Sequence, residues 1–223
     1  RAHRINGYLN EIHDSSPPIY RDKNGKMEIL SRAWFFTPTL KRHEDLEHQK
    51  LLCRRGWKAV KNHNSYRKSE YTFDTARAVD ITFKPWLNEI YHCHYHTVVV
   101  FSDHVSKEEA KRRLVDPWCN ALGDWTSVEA QDLSPIVNFQ GGEDGSVGHY
   151  CAKAGGLGLE LTGSATTKMG RKEKGWSYAQ LVEKATDFGG IYTEIFQAFL
   201  SGIKGTNTVT FSRGWPKYEE EEK

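Results

Sequence analysis

The sequence predicts an α+β protein with a central antiparallel β-sheet and helices packed on its faces. Two apolar, β-prone segments, 76–83 and 91–101, are separated by a turn that contains Pro85 and Asn88, as in a long-looped hairpin. Amphipathic helical patterns alternate with such strands along the chain. With 223 residues, of which 38% are hydrophobic and 27% charged, the chain is long enough to bury a full core.

The other elements follow from hydrophobic periodicity and from helix-capping residues. Ser106 and Glu109 form a capping box, which opens a helix that runs to about Leu122 and stops at Gly123. Further strands are predicted at 33–40, 127–131 and 208–212, and further helices at 43–61, 145–163, 177–187 and 192–200. Strands and helices are therefore interleaved, which is typical of a sheet covered by helices.

Three segments are expected along the chain. A polar, loosely structured arm covers 1–30, one domain covers 31–215, and an acidic tail covers 216–223. Apolar runs are too short to cross a bilayer, and the first residues lack a signal-peptide pattern. We therefore expect no membrane association and a cytoplasmic location. Four cysteines that form no C-x-x-C pair are expected to be free, buried thiols: Cys53, Cys93, Cys119 and Cys151.

The most informative segment is a strand with three alternating histidines. His92, His94 and His96 point to one face of the strand, because side chains of a strand alternate. Neighbouring imidazoles on one face can bind one divalent ion, and the valines at 98–100 bury the strand behind them. Two simpler interpretations are histidines without a ligand and a structural zinc site. Cys93 points to the opposite face and adds no ligand.

These residues carry a resemblance to a known family. His94-Tyr95-His96 with its apolar continuation resembles the His-hydrophobe-His motif of the HUH endonuclease superfamily, and its context resembles the replication initiator (Rep) proteins of rolling-circle plasmids. The segment 35–40, Phe-Phe-Thr-Pro-Thr-Leu, resembles that family's first motif, and Tyr150-Cys151-Ala152-Lys153 resembles its third. The three motifs occur in order, and the resemblance covers roughly 33–215. It implies a palm-like sheet.

The resemblance also implies an activity, which is metal-dependent, site-specific nicking and rejoining of single-stranded DNA. His94 and His96 would hold Mn²⁺ or Mg²⁺ with an acidic third ligand. Tyr150 would attack the scissile phosphorus and leave a 5′-phosphotyrosine, while the freed 3′-hydroxyl primes replication. Lys153, one helical turn away, would favour the phenolate. The implied partners are single-stranded or hairpin DNA at a replication origin, and a host helicase is a further candidate.

The third metal ligand has three candidates. Asp80 lies centrally on the strand predicted to pair with the histidine strand, in a position where the family tends to place an acid. Alternation puts Val79 and Ile81 on the other face, which favours Asp80. Glu89 and His92 are the competitors.

Two features concern DNA and the course of the reaction. A basic loop near the tyrosine suits backbone phosphates or is simply solvated; its cations are Lys168, Arg171, Lys172 and Lys174. Ser146 stands where some family members carry a glutamate that ends the cycle by hydrolysis, which puts that step in doubt.

The alternatives to a replication initiator are a conjugative relaxase or a single-strand transposase with the same chemistry, or a non-catalytic DNA-binding module. A tyrosine downstream of the histidines favours the replication order.

Overall fold

The centre of the protein is a five-stranded antiparallel sheet with strands in the order β6-β3-β5-β4-β7, beside a separate β1-β2 pair. The computed structural model describes residues 5, 8–9, 11–12, 19–21, 24–25, 27–63, 73–84, 91–136, 178–203 and 209–216. The strands are β1 Ile19–Arg21, β2 Met27–Ile29, β3 Ser31–Thr37, β4 Phe73–Phe83, β5 Tyr91–Val105, β6 Asp132–Pro135 and β7 Val209–Phe211. The predicted α+β class, the antiparallel sheet and the pairing of β4 with β5 are confirmed.

Within the described ranges, four helices pack on this sheet: α1 Leu46–Asn62, α2 Lys107–Leu122, α3 Tyr178–Phe188 and α4 Ile191–Ile203. The predicted helix start is confirmed, because the Ser106 hydroxyl accepts a hydrogen bond of 3.2 Å from the Glu109 amide. The Glu109 carboxylate accepts from Arg112 and Arg113. Gly123 ends α2 with φ of +53°, a conformation that favours glycine. A short 3₁₀ helix, Gly123–Trp125, follows at once and determines where Trp125 lies.

One strand prediction is wrong. Residues 127–131 form a turn, in which the Gln131 amide donates to the Val128 carbonyl over 3.2 Å. The strand begins at Asp132, because β6 pairs with β3 from Thr37↔Asp132 to Trp34↔Pro135. Tertiary pairing decides its position, so local sequence preference does not reveal it. The predicted helix at 145–163 lies outside the described residues.

We call the side of the sheet that the four helices cover the helix face. Its strands contribute large buried side chains, among them Trp34, Phe36, Tyr95 and Phe101. They pack with Cys53 and Trp57 of α1, Leu114 and Trp118 of α2, Leu181 of α3 and Phe199 of α4. The main hydrophobic core therefore lies between this face and the helices.

The opposite side carries His92, His94 and His96, and we call it the histidine face. At its other end, Val98 and Val100 are buried against Ile5, Leu9 and Trp215. Ile5 and Leu9 are helical and 0% exposed. They contribute to the core, which differs from the loosely structured arm that the polar N-terminal sequence suggested. The tail at 217–223 lies outside the described residues.

Candidate functional site

The three histidines form a continuous row of rings on the histidine face. The ring centroids of His92 and His94 are 5.3 Å apart, and those of His94 and His96 are 4.8 Å apart. Each of these side chains is half-buried, whereas the residues between them are buried. The predicted alternation along β5 is therefore confirmed. The His96 ring also stacks on Phe35, at 5.8 Å between centroids and an interplanar angle of 12°.

Two residues from other segments lie level with His94. Thr39 forms a bridge with His94 on one side of β5, and Asp80 of β4 pairs with His94 on the other. We call Thr39, His94 and Asp80 the cross-strand line. His94 was selected from the histidine motif, Asp80 for its predicted pairing with the histidine strand, and Thr39 as part of the 35–40 segment. The fold brings the backbones of these three residues together. The Asp80 side chain lies outside the described part of the structure, so its role as a ligand stays a prediction.

Thr39 is held firmly at this position. Its amide donates to the Gln131 side-chain oxygen over 2.9 Å, and its carbonyl accepts from the Thr126 hydroxyl over 2.6 Å. The Tyr95 amide donates to the Pro38 carbonyl over 3.1 Å. The threonine end of the first motif is therefore fixed beside the histidine row.

A side chain that sequence analysis missed holds the backbone next to the row in place by hydrogen bonds. Gln49 of α1 is 0% exposed, and its side-chain oxygen accepts a hydrogen bond of 2.9 Å from the Cys93 amide. Its side-chain nitrogen donates to the Lys41 carbonyl over 2.6 Å. Gln49 thus joins the 38–43 segment to β5 where their register shifts between two bridges. A buried polar residue in a helical pattern was the available signal.

The geometry of the row fits a pair of imidazole ligands. A ring that binds a metal ion through nitrogen at about 2.1 Å has its centroid roughly 3 Å from the ion, so two such centroids lie within about 6 Å of each other. Both neighbouring pairs meet this limit, and His94 belongs to both. Among the described side chains, no group of three or more His, Cys, Asp and Glu is arranged as a metal site. The described residues therefore offer pairs of neighbouring imidazoles here, without a complete set of ligands.

The helix face behind the row is electrostatically distinct. The Arg77 guanidinium lies 4.5 Å from the ring centroid of Tyr95 and 4.8 Å from that of Trp57, and burial lowers the pKa of Arg77. Burial also raises the pKa of Tyr95 and raises that of the Cys53 thiol to about 12. Tyr95 therefore stays a neutral phenol in the core, on the face of the sheet opposite the histidine row. Cys53, Cys93 and Cys119 are not joined in disulfides. Cys53 and Cys93 are buried as predicted, whereas Cys119 is only partly buried.

An open cleft of about 500 Å³ lies at the His92 end of the row. It is lined by Lys41, Arg42, His92, Asp124 and Trp125. The Arg42 guanidinium donates to the Thr82 hydroxyl of β4 over 3.4 Å, and that hydroxyl lies 3.5 Å from Nδ1 of His92. Arg42 therefore reaches across the end of β5 onto the histidine face. Apart from His92, sequence analysis did not select the residues of this cleft, although Lys41 and Arg42 directly follow the segment 35–40.

Several predicted site residues lie outside the described residues. They are Tyr150, Lys153, Glu89, Lys168, Arg171, Lys172 and Lys174. The roles suggested for them stay predictions.

Comparisons with protein-family models, with curated proteins and with solved structures found no match. Within the described ranges, no helix combines the length and the apolar character needed to cross a membrane.

Proposed function

We propose that the chain is a metal-dependent, site-specific endonuclease and strand-joining enzyme for single-stranded DNA. It nicks a replication origin through a tyrosine nucleophile and so starts rolling-circle replication of a plasmid in the cytoplasm. The observation that carries the proposal is the cross-strand line, in which Thr39 of the first motif and Asp80 flank His94 of the second. Residues from three different segments of the chain therefore lie level with one another, beside a row of neighbouring imidazoles.

The residues of the row would hold the ion. His94 with His96 or His92 presents two imidazoles within reach of one ion, and position 80 is in register to add a carboxylate. Mn²⁺ and Mg²⁺ accept such oxygen ligands, and imidazole suits the transition metals. When bound, the ion supplies Lewis-acid polarisation of the scissile phosphate.

The proposed reaction is a phosphoryl transfer that conserves the phosphodiester bond energy. The phenolic oxygen of Tyr150 bonds to phosphorus while the bond from phosphorus to the 3′ oxygen breaks. The phenol loses its proton and the departing 3′ oxygen gains one, which leaves a 5′-phosphotyrosine and a 3′-hydroxyl. Lys153, on the same face of the predicted helix, favours the phenolate. The reverse reaction rejoins the strand, so no nucleotide triphosphate is needed.

The test is a cleavage assay on labelled single-stranded and hairpin oligonucleotides that tile an origin, with Mn²⁺ or with excess chelator. We expect a covalent protein–DNA band that requires the metal and disappears in Tyr150→Phe, which removes only a hydroxyl. A band that persists in Tyr150→Phe would refute the nucleophile. Metal-independent binding with no cleavage under any condition would assign the chain instead to the non-catalytic DNA-binding modules.

A further inference from the structure

We propose that the cleft beside His92 is a nucleotide subsite, in which Trp125 stacks one base of a DNA single strand and Arg42 with Lys41 binds its phosphate. This inference rests on the proposed function, because it assigns the neighbour of the reacting nucleotide to a defined surface. The subsite consists of the residues that line the cleft: Lys41, Arg42, His92, Asp124 and Trp125.

The phosphate position follows from Arg42. Its guanidinium lies on the histidine face, 3.4 Å from the Thr82 hydroxyl, and Thr82 pairs with His92 in the sheet. His92 is two residues from His94 on the same strand, which is a separation of about 6.8 Å. A guanidinium beside His92, at the end of the histidine row, can bind the phosphate next to the scissile one, because planar donors match phosphate oxygens.

The base position follows from Trp125. Trp125 is 37% exposed, and its indole is in contact with two imidazoles. His43 and His48 approach it edge-on, with centroids 5.5 Å and 4.9 Å away. The backbone carbonyl of Trp125 accepts a hydrogen bond of 2.8 Å from the Lys41 amide, which holds the backbone of Trp125 beside the basic residues. A supported aromatic ring beside cations is the arrangement that binds unpaired bases.

The composition of the cleft favours a nucleotide unit of a strand over a small anion. Lys41 and Arg42 outnumber the one carboxylate, Asp124, so the lining attracts phosphate. An aromatic wall adds nothing to the binding of a bare phosphate, but it stabilises a stacked base. The cleft is open, which leaves both ends of a strand free to continue, one of them toward the histidine row.

The experiment measures binding of a fluorescein-labelled oligonucleotide by anisotropy, in excess chelator, so that it does not depend on cleavage. Trp125→Ala is expected to weaken binding between about 5- and 100-fold, and Trp125→Phe to restore most of it. Arg42→Gln is expected to weaken binding and to reduce the slope of log affinity against log salt by about one. Phe188→Ala and Arg55→Gln, which change an exposed aromatic and an exposed cation elsewhere, are the matched controls.

The outcomes separate this inference from the proposed function. Binding by Trp125→Ala and Arg42→Gln equal to that of the controls would overturn the subsite, whatever the cleavage assay shows. Undetectable binding by the unchanged protein in chelator would overturn it too. If deoxyadenosine monophosphate competed as tightly as the oligonucleotide, the ligand of the subsite would be a free nucleotide and not a DNA strand. Weaker oligonucleotide binding by Trp125→Ala than by the controls would support the subsite even if no cleavage were found. Thermal melting would verify that each variant is folded.

Discussion

Neighbouring residues of β5 lie in two different environments. Cys93 and Tyr95 are 0% and 7% exposed and pack beneath α1 and α2. The histidines that alternate with them are half-buried on the opposite face, beside the cleft. One strand therefore contributes both the main hydrophobic core and the candidate site, and a single-residue shift of register would exchange the two.

The residues of β5 that stabilise the fold are therefore distinct from those that form the candidate site. Helix-face residues are held by close packing, in which each lost side chain leaves a cavity. The three histidines of the row contribute much less buried apolar area. Packing therefore constrains them less, and their ring nitrogens can serve as donor atoms. We therefore expect substitutions on one face to alter the free energy of unfolding, and those on the other to alter metal and DNA binding.

The largest effect on stability is expected for Tyr95→Ala. The ring lies between Trp57, Trp118 and the Arg77 guanidinium, with centroid distances of 6.3 Å and 6.2 Å to the two indoles. Its removal should lower the free energy of unfolding by about 3–5 kcal/mol. Urea unfolding measures this, and His94→Ala is the matched control, with an expected change within about 0.5 kcal/mol. Similar losses in both variants would refute the separation of the two faces.

A smaller loss is expected where α1 crosses α2. A methyl group on Gly56 would lie 2.6 Å from a ring carbon of Trp118 and 2.8 Å from a methyl carbon of Leu122. Trp118 is fully buried and cannot move aside, so Gly56→Ala should cost about 1–3 kcal/mol despite the better helix propensity of alanine. Oligonucleotide binding by the folded fraction should not change. An increase in stability would show that the helices are less closely packed than described.

The sequence predicted the elements whose signals are local. Alternation identified the histidine strand, and Ser106 with Glu109 identified the start of α2. Gln49 and Trp125 escaped notice because their roles depend on contacts far along the chain, such as Gln49 with Cys93 and Trp125 with His43. No periodicity encodes such contacts. The burial of Ile5 and the true position of β6 were missed for the same reason.

The smallest effect is expected in alkaline solution. Burial raises the pKa of Cys53 from an ordinary 9.0 to about 12, so the folded state keeps a proton that the unfolded chain loses. This contribution to stability is complete below about pH 9 and declines toward pH 12, by up to about 1.4 kcal/mol per pH unit. Urea unfolding between pH 8 and 10.5 should show a shallower decline for Cys53→Ala than for the unchanged protein. Parallel curves would mean that Cys53 ionises in the folded state.

The stoichiometry of Mn²⁺ binding tests the proposed metal centre most directly. It is measured from the electron paramagnetic resonance signal of the free ion. We predict one site per chain, which is lost in His94→Ala and retained in Cys93→Ser, its neighbour on the helix face. Asp80→Asn should weaken the site if the cross-strand line supplies the third ligand. Circular dichroism would verify that the His94→Ala protein is folded. Unchanged Mn²⁺ binding in folded His94→Ala, or no binding by the unchanged protein, would contradict the assignment of the histidine row as the metal centre.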